Sequence, residues 1–376
     1  MKYPKKMTSL VLTGGGARGA YQVGVIQALT EITYHAGIKN PFPIISGASA
    51  GAINAAYLAA YASNMRGASK RLAQMWANIH SDAVYEIGIM PMFRIAFRII
   101  LEISTGGLLK KRQSRSLLDT TPLRNLLTKI IPFHNIQKQI KKKNLHGISI
   151  QAIDYSSGVN FTFFQGHSEI EPWIRSNRKG IRSEITVDHV LASTALPILF
   201  PPVLVGKSYF GDGNLRNYTP LSPSIKMGAD KILVIGVRKA KDMDALEVNA
   251  KPTLGRMLSV VLNAILLDNI ELDYERLSRV NSTIKKISNR ESFHLKPIEA
   301  MIIQPSEDLA QIAAEEAHHL PASIKYLIKG LGSRKEASDL ISNILFEPSY
   351  TQRIMLLGYT DAMRIKDDII EFLKRE

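Results

Sequence analysis

The sequence predicts an α/β fold, a mostly parallel central sheet covered by helices on both faces, followed by a mainly helical C-terminal extension. Three observations predict it. Short, almost wholly apolar runs recur, SLVLT at 9–13, FPIIS at 42–46 and KILVIGV at 231–237. Strands buried on both faces read this way. Stretches with helical spacing separate them, which is the pattern of βαβ units. Beyond about Lys239 the strand-like runs nearly cease.

The elements follow in order. A basic tail, residues 1–7, carries Lys2, Lys5 and Lys6. The apolar run Met7 to Leu12 is interrupted by Thr8 and Ser9 and ended by Gly14–Gly16 and Arg18, so it is too short for the core of a signal peptide. Residues 9–13 predict a buried strand. From Ala17 to about Ala36 the spacing of Val23, Ile26 and Leu29 predicts a helix. Residues 42–46 predict a second strand, and the alanine-rich stretch Ala50 to Ala62 a second helix. Residues 145–153 and 159–164 predict strands around the turn Ser156-Ser157-Gly158. Another strand falls within 200–210, ending at Lys207 to Phe210, and 231–237 is the clearest of all. Then come a helical pattern from Leu254 to about Lys286, one strand-like run at Ile298–Ile303, and helix to the end. This divides the chain into the tail, an α/β domain at 8–240 and an extension at 241–376.

At 376 residues and 45% hydrophobic content the chain can bury a full core. It has no cysteine, which excludes disulfides, thiolate chemistry and Cys-ligated zinc. The net charge of +15 favours an anionic partner, nucleic acid or an acidic membrane surface. No zinc-finger or RNP-type motif is present and aromatics make up only 7%, so no nucleic acid is expected. No apolar stretch reaches the roughly 18 residues that mark a membrane-spanning helix.

One segment, 87–116, points to a membrane surface. IGIMPMFRIAFRIIL at 87–101 is almost entirely apolar. Pro91 can open a helix in which Arg94, Arg98 and Glu102 form a narrow polar stripe. From Pro91 to Ile103 such a helix would be about 20 Å long, short of a bilayer core of about 30 Å. The plainer reading is a core helix with arginines at its rim. The cluster Lys110, Lys111, Arg112 and Arg115 favours an interfacial lid or anchor instead. The expected location is cytoplasmic, peripheral on the inner membrane surface.

Three motifs carry chemistry. Gly47-Ala48-Ser49-Ala50-Gly51 fits G-x-S-x-G between a strand and a helix. In that context a sharp turn exposes the serine hydroxyl and sets the N–H of Ala50 near a developing oxyanion. The plainer reading is that Ser49 caps the helix. Gly14-Gly15-Gly16-Ala17-Arg18-Gly19 also joins a strand to a helix. As a dinucleotide fingerprint it lacks an acid at the end of the second strand, which runs from Ser46 into the serine motif. As a P-loop it lacks the Lys-Ser/Thr pair. A donor-rich loop for an oxyanion, or a plain tight turn, remains. Tyr209-Phe210-Gly211-Asp212-Gly213-Asn214 places an aspartate between glycines just after a strand, either a base aimed into a cleft or an ordinary Asp-Gly turn. None of the nine histidines lies in a catalytic-looking motif, and the pair His318-His319 reads as a solvated face.

These pieces resemble the patatin-like phospholipases, in particular their bacterial members. The matching segments are GGGARGAYQVGV (14–25), PIISGASAGAINAA (43–56), ASTALPILFPPV (192–203), YFGDGNLRNYTPLSP (209–223) and GADKILVIGV (228–237). They occur in the family's order over about residues 8–240. The resemblance implies a three-layer α/β/α sandwich and a Ser-Asp dyad, here Ser49 and Asp212. It implies an oxyanion hole built from Gly14, Gly15, Gly16 and the adjoining backbone of Ala17 and Arg18, with Ala50. Gly47 and Gly51 would shape the nucleophile turn, and Gly211 and Gly213 the turn of the base. No metal or cofactor is expected. The family's D-G-[GA] motif departs here at Asn214, so the geometry of that turn is open. The expected substrates are phospholipids or lysophospholipids. The alternative is a lipid-binding regulatory protein that retains the fold.

Overall fold

The computed structural model describes residues 6–86, 116–240, 269–286, 296–320 and 337–375, with 257 and 325 as isolated positions. In chain order, β1 (Thr8–Leu12) passes through a 3-10 turn (Gly16–Arg18) into α1 (Gly19–His35). β2 (Ile44–Ala48) leads into α2 (Ala50–Ala60), and α3 (Met65–Ala77) follows. α4 (Thr121–Ile130) and α5 (His134–Lys141) precede β3 (Gly147–Asp154) and β4 (Asn160–Gly166). Then come β5 (Trp173–Arg175), β6 (Arg178–Arg182), α6 (Val187–Thr194), β7 (Val203–Val205), β8 (Ser208–Asp212), α7 (Ser222–Lys226) and β9 (Lys231–Ile235). The C-terminal part holds α8 (Asn269–Lys286), β10 (Glu299–Ile303), α9 (Leu309–Glu316), α10 (Ser338–Ile344), α11 (Pro348–Arg364) and α12 (Lys366–Lys374).

The strands form one sheet in the order β10-β9-β1-β2-β3-β4-β6-β5. From β10 to β3 every pairing is parallel. Beyond β3 the sheet is mixed. The tight turn between β3 and β4 leaves no room for a crossover, so those strands pair antiparallel.

Alternation along the strands makes the three layers. Leu10, Leu12, Ile45, Leu233 and Ile235 join the core on the face that carries α1, α2 and α3. Val11, Ile44, Ile232 and Val234 point the other way, into a smaller core with Leu221, Ile270 and Leu277 around α7 and α8. Successive side chains of a strand face opposite sides, so one apolar run feeds both cores. The predicted α/β/α sandwich with a helical C-terminal part is therefore the observed fold. The C-terminal residues also take part in it, since β10 pairs with β9 at the sheet edge.

The edge of β3 positions the site. β4 occupies one side of β3 along almost its full length. On the other side β2 pairs with its first half, ending with Ala48 opposite Gln151. β8 pairs with its second half, antiparallel, and ends with Asp212 opposite Ala152. Two strands thus meet head to head on neighbouring positions of β3. One ends at Ser49 and the other at Asp212.

The expected membrane-contact segment, with Arg94, Arg98, Lys110, Lys111, Arg112 and Arg115, lies outside the described residues; of 87–116 only Ser116 is described. The helical pattern predicted from Leu254 is described from Asn269 onward, apart from Met257. Among the described residues no helix is long and apolar enough to cross a membrane.

Candidate active site

Ser49 stands between β2 and α2 with φ 52° and ψ −129°. A side chain rarely adopts this region, and such strain concentrates at functional sites. The turn is tight enough to dictate its flanks. A Cβ on Gly47 would lie 2.3 Å from the Gly51 carbonyl oxygen, and one on Gly51 would lie 2.2 Å from the Leu12 carbonyl oxygen. The plainer reading of Ser49 fails, because its side chain makes no capping hydrogen bond to α2. Its backbone N–H donates instead to Ser193 Oγ at 2.9 Å, and the Ser193 hydroxyl donates to the Gln151 carbonyl at 2.6 Å. α6 thereby ties the strained turn to β3.

Asp212 is fully buried. Its Oδ1 accepts the Asn214 N–H at 2.9 Å, while Oδ2 is buried without a hydrogen bond of normal geometry. Burial pushes its carboxyl up from 3.8 to about 6, opposed by the Ser49 hydroxyl and the Asn214 N–H. No ordinary hydrogen bond joins the Ser49 hydroxyl to Asp212 Oδ2 in this structure. Hydrogen bonds of this kind commonly tighten only when substrate is bound. The Asp212 N–H donates to the Ala195 carbonyl at 2.9 Å, and Asn160 Nδ2 donates to the Gly213 carbonyl at 3.0 Å, so the turn is held on both sides.

The departure at Asn214 fits this geometry. Its side chain packs over Gly14, where a Cβ would fall 1.6 Å from Asn214 Nδ2 and 2.7 Å from Ser49 Cβ. The glycine loop, the serine turn and the aspartate turn thus converge at Gly14. Gly16, Ser49 and Ala50 line a pocket together with Ile53, Trp76, Ile79, Val84, Leu123, Leu127, Leu196 and Phe346. That lining is almost wholly apolar and suits a hydrocarbon chain. Thr13, Ser46, Gln151, Asn214 and Asn217 line a second cavity together with the apolar Val11, Leu12, Pro220 and Ile270.

Not every predicted site residue faces these cavities. The Arg18 guanidinium bonds to Ser342 and Asp339 of α10. Gly211 makes room for the ring of Tyr155, and Gly213 for the Gln151 carbonyl. Among the described residues no histidine lines either cavity. His189 lies against Phe163, and burial lowers its imidazole to about 4. Sequence reasoning missed Ser193, Asp339 and Ser342. Ser193 carried a weak signal, since it lies within the family-like segment 192–203.

Residues 10–225 match the family model described as patatin-like phospholipase. Among solved structures the chain is similar to VipD from Legionella pneumophila, with 15% identity, a TM-score of 0.36, and coverage of 97% of this chain and 67% of that one. It is similar to human GIVD cytosolic phospholipase A2 in complex with methyl gamma-linolenyl fluorophosphonate, with 12% identity, a TM-score of 0.47, and coverage of 98% and 58%. It is also similar to the ExoU–SpcU complex from the type III secretion system of Pseudomonas aeruginosa, with 16% identity, a TM-score of 0.29, and coverage of 89% and 74%. The chain thus spans little more than half the length of the human phospholipase chain. Among curated proteins none matches.

Proposed function

The chain belongs to the patatin-like phospholipase family, a family of lipid acyl hydrolases, and on that premise we propose that it releases fatty acid from phospholipids or lysophospholipids with Ser49 as nucleophile and Asp212 as base. The observation that supports this most is the meeting of the two strand ends. A strained serine and a buried carboxylate stand head to head beside an apolar pocket.

Ser49 Oγ attacks the acyl carbonyl carbon while Asp212 takes its proton. The oxyanion is held by the N–H groups of Gly15, Gly16 and Ala50, the last of them at the free N-terminus of α2. The ester C–O bond breaks, and the alcohol or lysolipid leaves with the proton from Asp212. Water, deprotonated by Asp212, then attacks the acyl-serine, and the fatty acid departs as Ser49 regains its proton. The acyl chain lies in the apolar pocket, where each buried methylene contributes about 0.8 kcal/mol to binding. A protein that only binds lipid needs neither a strained serine nor a fully buried carboxylate.

The substrate is met at the cytoplasmic face of the inner membrane, where net charge of +15 and the basic segment 87–116 favour an anionic surface. The test uses vesicles of mixed phospholipid, lysophospholipid and triglyceride, with and without anionic lipid. Released fatty acid is measured by mass spectrometry in the presence of EDTA. The expected result is release that chelation leaves unchanged and that is faster on anionic vesicles. The difference should shrink as salt shortens the Debye length, about 10 Å at 0.1 M. No fatty acid from any lipid would overturn the hydrolase reading. Equal rates on both vesicles would overturn only its membrane-surface part.

A further inference from the structure

We propose that α10 is a working part of the oxyanion device, with Asp339 and Ser342 as positioning residues that act through Arg18. The inference rests on the acyl-hydrolase reading of Ser49. It concerns residues beyond 10–225, the span that the family model matches.

Arg18 and Gly15 belong to one turn, because the Arg18 N–H donates to the Gly15 carbonyl at 3.1 Å. The Arg18 side chain is only 2% exposed. Its Nε donates to Ser342 Oγ and its Nη2 to Asp339 Oδ1, both at 2.8 Å. The planar guanidinium meets the two partners through two separate nitrogens, Nε and Nη2, a fixed spacing that the single nitrogen of a lysine does not reproduce. The Ser342 hydroxyl donates in turn to the Asp339 carbonyl at 2.7 Å, so the acceptors are themselves fixed.

The charge requires this partner. Arg18 caps the N-terminal end of α1, where the helix dipole disfavours a cation. A buried guanidinium without a carboxylate would leave this position. Asp339 supplies the carboxylate from the first turn of α10, an end that favours an anion. The backbones also touch. A Cβ on Gly16 would fall 2.0 Å from the Asn343 carbonyl oxygen. The same segment continues to Phe346, which stacks on Trp76 and walls the pocket beside Ser49. The orientation of the Gly15 and Gly16 N–H groups therefore depends on α10, although more than 300 residues separate the partners.

Oxyanion donors act chiefly in the transition state, so misplacing them lowers kcat and spares ground-state binding. The test compares Asp339→Asn, Ser342→Ala and Asp339→Glu with wild type. Arg353→Gln serves as control, because it breaks an exposed ion pair with Glu315 in the same C-terminal part. The readouts are kcat and KM on a soluble p-nitrophenyl ester. Affinity is measured for an alkyl trifluoromethyl ketone, which forms a tetrahedral oxyanion on the serine, and for a fatty acid. For Asp339→Asn, kcat and ketone affinity should fall about ten- to a hundredfold. KM and fatty-acid affinity should stay within about twofold. Asp339→Glu should restore part of the loss, and Arg353→Gln should behave as wild type. If Asp339→Asn does not fold, Ser342→Ala decides, since it removes two hydrogen bonds and no charge. Unchanged kcat in a folded variant, a loss confined to KM, or an equal loss in Arg353→Gln would overturn the positioning role. An inactive wild type would instead overturn the acyl-hydrolase reading, and this role with it.

Discussion

Asp212→Asn should make the protein much slower and more stable at the same time. The loss of rate follows from the role of the base. Without a proton acceptor beside Ser49, kcat on a soluble acyl ester should fall on the order of 10⁴-fold, and Ser49→Ala should lose at least as much. The gain in stability follows from burial. Asp212 titrates at about 6 in the folded protein against 3.8 as an ordinary carboxyl. Its folded-state pKa is raised, so its contribution is fully present below pH 4 and is lost as pH rises through 6. The difference amounts to about 3 kcal/mol. A neutral asparagine does not incur that cost. Thermal melts should place Asp212→Asn above wild type at pH 8 and level with it at pH 4. The same titration should appear in wild-type kcat/KM, rising through pH 6 to a plateau. An acid limb governed by one of the histidines, with Asp212→Asn still active, would assign the base elsewhere.

Gly15→Val should lower kcat by two orders of magnitude or more, about 2.7 kcal/mol, with little change in KM. Gly15 has φ +157° and ψ 20°, a conformation that favours glycine. A Cβ there would stand 2.6 Å from Val237 Cγ2 and 3.3 Å from Arg18 Cβ. The loop must move, and its N–H groups move with it. Steady-state kinetics on a soluble ester, with a melt to show folding, decides the matter. Unchanged kcat in a folded variant would place the oxyanion donors elsewhere.

The serine turn and the aspartate turn were legible because each is flanked by glycines in the sequence, although much of what crowds those glycines comes from elsewhere in the chain. Gly47 and Gly51 are dictated by carbonyl oxygens within the β1 and β2 turns. The apolar runs of β1, β2 and β9 were legible because both their faces are buried. The pairing of Ser49 with Asp212 came only through the family resemblance and not from the residues themselves, since it depends on β8 entering the edge of β3 beyond the end of β2. The single strand expected within 200–210 is a hairpin, β7 and β8, turning at Gly206 with φ 63°. Strands β5 and β6 escaped notice because they lie at the sheet margin and carry Arg175, Arg178, Lys179 and Arg182, as margin strands often do. Ser193 has no spacing that announces its bond to the Ser49 N–H. Asp339 and Ser342 sit in a polar stretch whose partner, Arg18, lies at the other end of the chain.

The central claim is that Ser49 is the nucleophile and that Asp212 activates it. Reaction with an alkyl fluorophosphonate, followed by intact-protein and peptide mass spectrometry, tests it most directly. One adduct should form per wild-type chain, on the peptide that carries Ser49. Ser49→Ala should take up none, and Asp212→Asn should react far more slowly. A single adduct on another residue, or labelling that Ser49→Ala leaves intact, would contradict the account.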